Sequence, residues 1–305
     1  MTASLSRCAG NIEITGAPDA PVVAVLGGIS SSRHVTATAA DPAEGWWNDF
    51  VGAGRAVDTL KFRVVGMDYI DDPLTDGPLS THDQANALIE ALDDAGIGRV
   101  HAVIGASYGG MVALALAEVA PDRVERLVVI GAAHQSSPAA TANRVLQRSV
   151  VELGFRAGRE HEALVIARGM ALTTYSTQRD FASRFDVPDP AEREVAIERF
   201  LTLAGARFES RCPPSRFLLL SRSLDLHRVE PASITCPTTL VGVVEDSLVP
   251  QSQLVELAQK IEGPCTLELV SSIYGHDAFL EEQGLIAPIV ARALTTVVGA
   301  DNDLA

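Results

Sequence analysis

The sequence lacks a membrane-length apolar run; even Pro21 to Ile29 is far too short to span a bilayer. The N-terminal stretch has one Arg, at position 7, and no apolar region after it, so no signal peptide is expected. Cysteine is scarce. The four present (Cys8, Cys212, Cys236, Cys265) are scattered without CxxC spacing. That argues against a disulfide framework and against a zinc site, and fits reduced thiols in the cytoplasm. Positive charge is also scarce, with 24 Lys and Arg against 39 Asp and Glu and a net charge of −15. Nucleic acid and anionic membranes are therefore poor partners, and an anionic substrate needs a locally basic pocket. No internal repeat or low-complexity segment is present. What remains is 305 residues, 47% hydrophobic, enough for one large α/β domain or two smaller ones with a sizeable core.

The chain is organised around residues 100–114, VHAVIGASYGGMVAL. Val100 to Ile104 reads as a buried strand. Gly105-Ala-Ser107-Tyr-Gly109 reads as a tight turn, and a helix over Tyr108 to Val119 follows, stopped by Pro121. Strand, Gly-x-Ser-x-Gly turn and helix make the nucleophile elbow of α/β-hydrolases. The turn forces Ser107 into strained φ/ψ, and the residues two away on each side must lack bulk. The hydroxyl then stands above a helix N-terminus, whose free N–H groups favour an anionic intermediate. A glycine-rich turn that only packs closely would not need a histidine and a carboxylate later in the chain.

Elsewhere the pattern alternates. Asn11 to Thr15 is a short strand. Pro21 to Leu26 is a strand apolar on both faces, leading into Gly27-Gly28-Ile29-Ser30, a loop that in α/β-hydrolases supplies an oxyanion donor. Trp46 to Val51 is expected as a short helix, Lys61 to Met67 as a strand, and 71–80 as a loop. Thr81 to Ala95 has helical apolar spacing, with Thr81 and Gln84 as a capping box. Arg126 to Ile130 is another strand. From Ala132 to about Pro231 only helices are expected, over 140–153, 160–175, 189–205 and 214–226. Strand 238–243, helix 251–261, strand 266–270 and helix 285–298 complete the chain. The reading is an α/β fold with a mostly parallel, doubly wound sheet. Residues 1–131 and 232–305 form its core domain, and 132–231 a helical lid domain over the active site.

Order and position then pick out two more residues. The strand ending near Val244 runs into Glu245-Asp246, and the strand ending at Val270 leads to Gly275-His276-Asp277. His276 suits a general base for Ser107, and Asp246 suits the carboxylate that orients it. Glu245 is the rival acid, but an adjacent position on an extended segment points the other way. The other six histidines (His34, His82, His101, His134, His161, His227) are assigned to surface or packing, with His34 near enough to the oxyanion loop to line the pocket.

GASYGGM at the elbow, EDSLVP at the acid and YGHDAFL at the histidine together resemble the homoserine O-acyltransferases of the α/β-hydrolase fold. LGGISSSRH, and LSRSLDLHRVEP in the lid, resemble the succinyl-CoA-using members more than the acetyl-CoA-using ones. The likeness runs from about Pro21 to Val298. It implies ping-pong acyl transfer in methionine biosynthesis. Ser107 takes the acyl group from acyl-CoA and L-homoserine receives it. The oxyanion hole would be the backbone N–H groups of Ile29 and Tyr108. Arg168, Tyr175 and Asp277 would bind the amino acid: the guanidinium suits its carboxylate, and the Asp suits its ammonium. No cofactor or metal is implied, since acyl-CoA is a substrate. A homodimer through the apolar helical lid is expected. The elbow departs from many members in carrying Ala106 and Tyr108, and the segment between Asp68 and Ser80 is shorter than the glycine-rich loop of acetyl-specific ones. An esterase on the same fold, a non-catalytic binding module and an L-serine O-acyltransferase are the competing readings.

Overall fold

Backbone pairing, not helix packing, sets the frame of this molecule. The computed structural model describes residues 11–72 and 78–295, so Cys8 and the end of the last expected helix lie outside it. The chain opens with strands β1 (Ile12–Gly16) and β2 (Val22–Leu26). A two-stranded ribbon, β3 (Val51–Gly52) with β4 (Val57–Asp58), and strand β5 (Arg63–Met67) follow. Then come helix α1 (Thr81–Asp94), strand β6 (Ala102–Ala106), helix α2 (Tyr108–Val119) and strand β7 (Leu127–Ile130). Five helices succeed one another: α3 (Pro138–Ala157), α4 (Glu160–Tyr175), α5 (Gln178–Arg184), α6 (Pro190–Glu209) and α7 (Pro214–Leu226). Strand β8 (Thr238–Val243), helix α8 (Gln251–Lys260), strand β9 (Cys265–Val270) and helices α9 (Ala278–Glu281) and α10 (Gln283–Thr295) close the fold.

The main sheet has seven strands in the order β1-β5-β2-β6-β7-β8-β9, parallel except for β1, which runs antiparallel on β5. Its middle strands are buried on both faces, which is why they read as unbroken apolar runs. One layer of core packs α1, α2 and α7 on the sheet through Leu88, Leu92, Val112, Leu116 and Leu220. The other face carries Trp47, Phe50 and the α10 residues Ile286 and Val290. Helix α2 is buried from Tyr108 to Ala117, as a helix apolar all round its axis must be. Register aligns the carboxyl ends of β2, β6, β7, β8 and β9, so the loops after all five open at one edge. Ligands in open α/β sheets bind at that edge.

Three local expectations change. Residues 46–50 form turns and lead into β3 instead of a helix. The stacking of Trp47 on Phe50 (ring centroids 4.1 Å) and on Trp46 (5.0 Å) shapes them. The capping box of α1 belongs to Ser80 and Asp83: Ser80 N–H donates to Asp83 Oδ2 at 2.7 Å, and Asp83 N–H to Ser80 Oγ at 3.2 Å. Thr81 and Gln84 are already inside the helix and serve tertiary contacts, Thr81 Oγ1 to His227 Nδ1 (2.8 Å) and Gln84 to both backbone groups of Ile70 (2.8 Å each). Helix α5 has only seven residues, too few for a periodic signal, and is started by a Thr177 cap on Asp180.

Candidate active site

Strand β6 ends at Ala106 and α2 begins at Tyr108, so Ser107 alone makes the turn. Its φ of 55° and ψ of −119° are costly for a residue with a side chain. Packing holds it there. A Cβ on Gly105 would run into the Gly109 carbonyl, and a Cβ on Gly109 into the Leu26 carbonyl and, at 2.8 Å, the Gly27 nitrogen. The spacing of the two glycines is thus set by contact with each other and with β2.

The strained turn aims the hydroxyl at His276, whose Nε2 lies 2.9 Å from Ser107 Oγ. Nδ1 of His276 lies 2.7 Å from Asp246 Oδ2. The other oxygen, Oδ1, accepts the backbone N–H groups of Leu248 (2.8 Å) and Val249 (3.1 Å). Asp246 is buried with both of its carboxylate oxygens hydrogen-bonded. Burial works against a charged His276, but the charge and hydrogen bond of Asp246 outweigh it, and the imidazole pKa is raised. This is the arrangement of a base that accepts a hydroxyl proton and is stabilised once it has done so. Glu245 points away: it accepts Ser271 Oγ (2.5 Å) and Ser272 N–H (2.9 Å), pinning the loop that carries His276.

The loop after β2 is anchored just as closely. The Gly27 carbonyl accepts Gly109 N–H (2.8 Å) and the buried Tyr69 hydroxyl (2.7 Å). The Gly28 carbonyl accepts Ser31 N–H (3.0 Å) and Oγ (2.7 Å). The N–H groups of Ile29 and Tyr108 have no acceptor among the described residues. The Tyr108 side chain turns inward, its hydroxyl 2.8 Å from Ser223 Oγ and its ring edge-on to Tyr69.

Above Ser107 lies a cavity whose lining includes Ile29, Arg168, Tyr175, His276 and Asp277. Arg168 and Tyr175 share one face of α4, two turns apart. The Arg168 guanidinium sits 4.9 Å from the Tyr175 ring centre and 4.8 Å from that of Phe208, a cation–π sandwich. No carboxylate lies within 4.0 Å of it among the described residues. Burial raises the pKa of Asp277, against the opposing pull of Arg168 and His276.

His34, near enough in sequence to the loop after β2 to line the cavity, does not line it, in keeping with its assignment to surface or packing. Its ring meets Glu13 (3.1 Å) and the Ala43 carbonyl (2.9 Å), which raises its pKa, the Ala43 bond most. His227 is a packing residue between Thr81 and the Ala133 carbonyl, and burial pushes its pKa down to about 3. Among the described residues no three His, Cys, Asp or Glu cluster as metal ligands would, and Cys212, Cys236 and Cys265 are free thiols.

A family model for the alpha/beta hydrolase fold matches residues 21–283. The chain is 42% identical over 288 residues to a homoserine O-succinyltransferase of Xanthomonas campestris, covering 93% of this chain and 78% of that protein. The chain belongs to the homoserine O-acyltransferase family. It is also 30% identical to a serine O-succinyltransferase of Litchfieldella anticariensis, over 88% of this chain and 86% of the other. A homoserine O-acetyltransferase from Bacillus anthracis shares the fold with a TM-score of 0.83 at 20% identity, over 94% of this chain and 92% of that one.

Sequence reasoning missed several lining residues of this acyltransferase cavity, among them Trp46, Phe208, Arg211 and Leu224. Trp46 comes from the turn taken for a helix. Phe208 comes from the last turn of α6 and Arg211 from just past it, brought to the site by the path of four helices, and no local motif marks them. Phe279 and Leu280 had a signal, since they close the YGHDAFL segment that carries His276.

Proposed function

We propose that this protein transfers an acyl group, succinyl in preference to acetyl, from acyl-CoA to the hydroxyl of L-homoserine, in methionine biosynthesis. The observation that carries this is the shared cavity: a serine hydrogen-bonded to a histidine, with the Arg168 guanidinium and the Asp277 carboxylate on the walls above it. The 42% identity to a homoserine O-succinyltransferase supports the acceptor and the donor.

Ser107, His276 and Asp246 act as the triad. As Ser107 Oγ attacks the thioester carbonyl carbon, its proton passes to His276 Nε2, and the Ile29 and Tyr108 N–H groups receive the negative oxygen. The carbon–sulfur bond breaks, and the CoA thiolate leaves with the proton from His276. The homoserine hydroxyl then gives its proton to His276 and attacks the Ser107 ester. That ester opens, and the proton returns to Ser107. No cofactor takes part. Arg168 holds the acceptor carboxylate, Asp277 the ammonium, and Tyr175 backs Arg168. Segment 132–231 is the lid that limits access of water, over a core of 1–131 and 232–305. The enzyme works in the cytoplasm as a homodimer.

Rapid-quench digestion after mixing with succinyl-CoA alone is expected to show the added acyl mass on the Ser107 peptide. An active preparation with the mass elsewhere, or with none, overturns the covalent mechanism. Mass spectrometry of products from succinyl-CoA and acetyl-CoA, each with homoserine and serine, then identifies the acyl and acceptor pair. L-Serine as acceptor is the second reading, favoured by the serine O-succinyltransferase relative. One methylene separates the two acceptors, worth only about 1–3 kcal/mol.

A further inference from the structure

The cavity over Ser107 holds more positive charge than an amino-acid acceptor needs. Its lining carries two guanidinium groups, Arg168 and Arg211, against one carboxylate, Asp277, in a chain of net charge −15. Arg168 and Asp277 answer the two charges of a zwitterion, and Arg211 is left over. Its backbone is fixed: just past α6, its N–H donates to the Phe208 carbonyl at 3.0 Å, and the next residue, Cys212, is fully buried. Its side chain is exposed. Its described polar contact is a long one along its own chain, Nε to the Arg207 carbonyl at 3.4 Å. No carboxylate neutralises it within 4.0 Å among the described residues.

We propose that Arg211 is the residue that selects the acyl donor, by holding the far carboxylate of a dicarboxylic acyl group such as succinyl. The proposal rests on the acyl-transfer reading of the site. Charge counting in the second half-reaction supports it. A succinylated Ser107 and an incoming homoserine bring two carboxylates into one partly apolar cavity. A carboxylate there without a partner is strongly disfavoured, and one guanidinium cannot serve both. Two carboxylates call for two cations, and the lining has two. A planar guanidinium also suits a carboxylate in a bidentate pair. Coenzyme A phosphates offer the same oxyanion chemistry to a rim arginine, but every donor carries them, so they cannot favour succinyl over acetyl.

The test compares kcat/KM for succinyl-CoA and for acetyl-CoA, both with homoserine, in the parent enzyme and in Arg211→Met and Arg211→Lys. The succinyl-to-acetyl ratio is expected to fall roughly ten- to a hundredfold in Arg211→Met, the range of a lost charge-assisted hydrogen bond. Arg211→Lys is expected to recover part of it. Because the side chain is exposed, both variants should melt with the parent. Equal losses on the two donors would assign Arg211 to the coenzyme, and an unchanged ratio would remove it from recognition; either overturns the proposal. A parent enzyme that acylates homoserine from neither donor would instead overturn the acyl-transfer reading beneath it.

Discussion

In the proposed reaction Arg168 and Asp277 meet opposite ends of the same acceptor, and the ring sandwich around Arg168 gives a way to keep a cation usable there. Tyr175 and Phe208 hold the guanidinium by its faces, leaving its N–H edge for a carboxylate. Transfer to a dilute hydroxyl must outrun water, and orientation can supply several kcal/mol toward that. Arg168→Ala is expected to keep acyl-enzyme formation while slowing homoserine acylation at least about tenfold, since charge-assisted bonds are worth roughly 1.5–3 kcal/mol. The readout is the partition between acyl-homoserine and free acid from the same donor. An unchanged partition would remove Arg168 from acceptor binding and strengthen the esterase reading.

The elbow and the loop after β2 are one device. Gly109 belongs to α2, yet its N–H holds the Gly27 carbonyl and its bare Cα packs on the Leu26 carbonyl. Gly109→Ala would push the helix away from β2 and move Ile29 relative to Tyr108. Both contacts are to backbone, so no side chain can swing aside. The cost is expected to be at least about 1–3 kcal/mol, read as a lower denaturant midpoint, with a fall in acylation rate. An unchanged midpoint would mean that the strand and helix can part freely.

Among the described residues, eight of the fourteen exposed large apolar side chains lie on the helices between β7 and β8. Val145, Leu146, Leu153, Phe155, Ile166 and Val195 are all exposed, Val195 at 63%. α6 adds a shallow apolar groove containing Val195, Phe200 and Leu203. A monomer leaves this surface in water, whereas a second copy would cover it. Light scattering at micromolar concentration is expected to give twice the mass of one 32.2 kDa chain. A single-chain mass would contradict the dimer.

Much of this was legible along the chain because the controlling forces are local. Buried parallel strands must be apolar on both faces, and a Gly-x-Ser-x-Gly turn between strand and helix has one workable geometry, so β2, β6, β7 and Ser107 could be read directly. His276 and Asp246 could be read because each follows a strand whose end meets the same sheet edge. Residues whose roles depend on distant partners could not be read. Ser80 and Asp83 took the cap of α1 because Thr81 and Gln84 were drawn into contacts with His227 and Ile70. The stacked rings of Trp46, Trp47 and Phe50 made turns where helical composition pointed to a helix. Phe208 and Arg211 reach the cavity only because α6 returns to it, and no spacing in the sequence records the direction in which four packed helices travel. Sequence alone determined the sheet, the serine at the elbow and the chain order of the residues that meet it. The tertiary structure decided what surrounds them, because packing between elements distant in sequence answers to shape and not to periodicity.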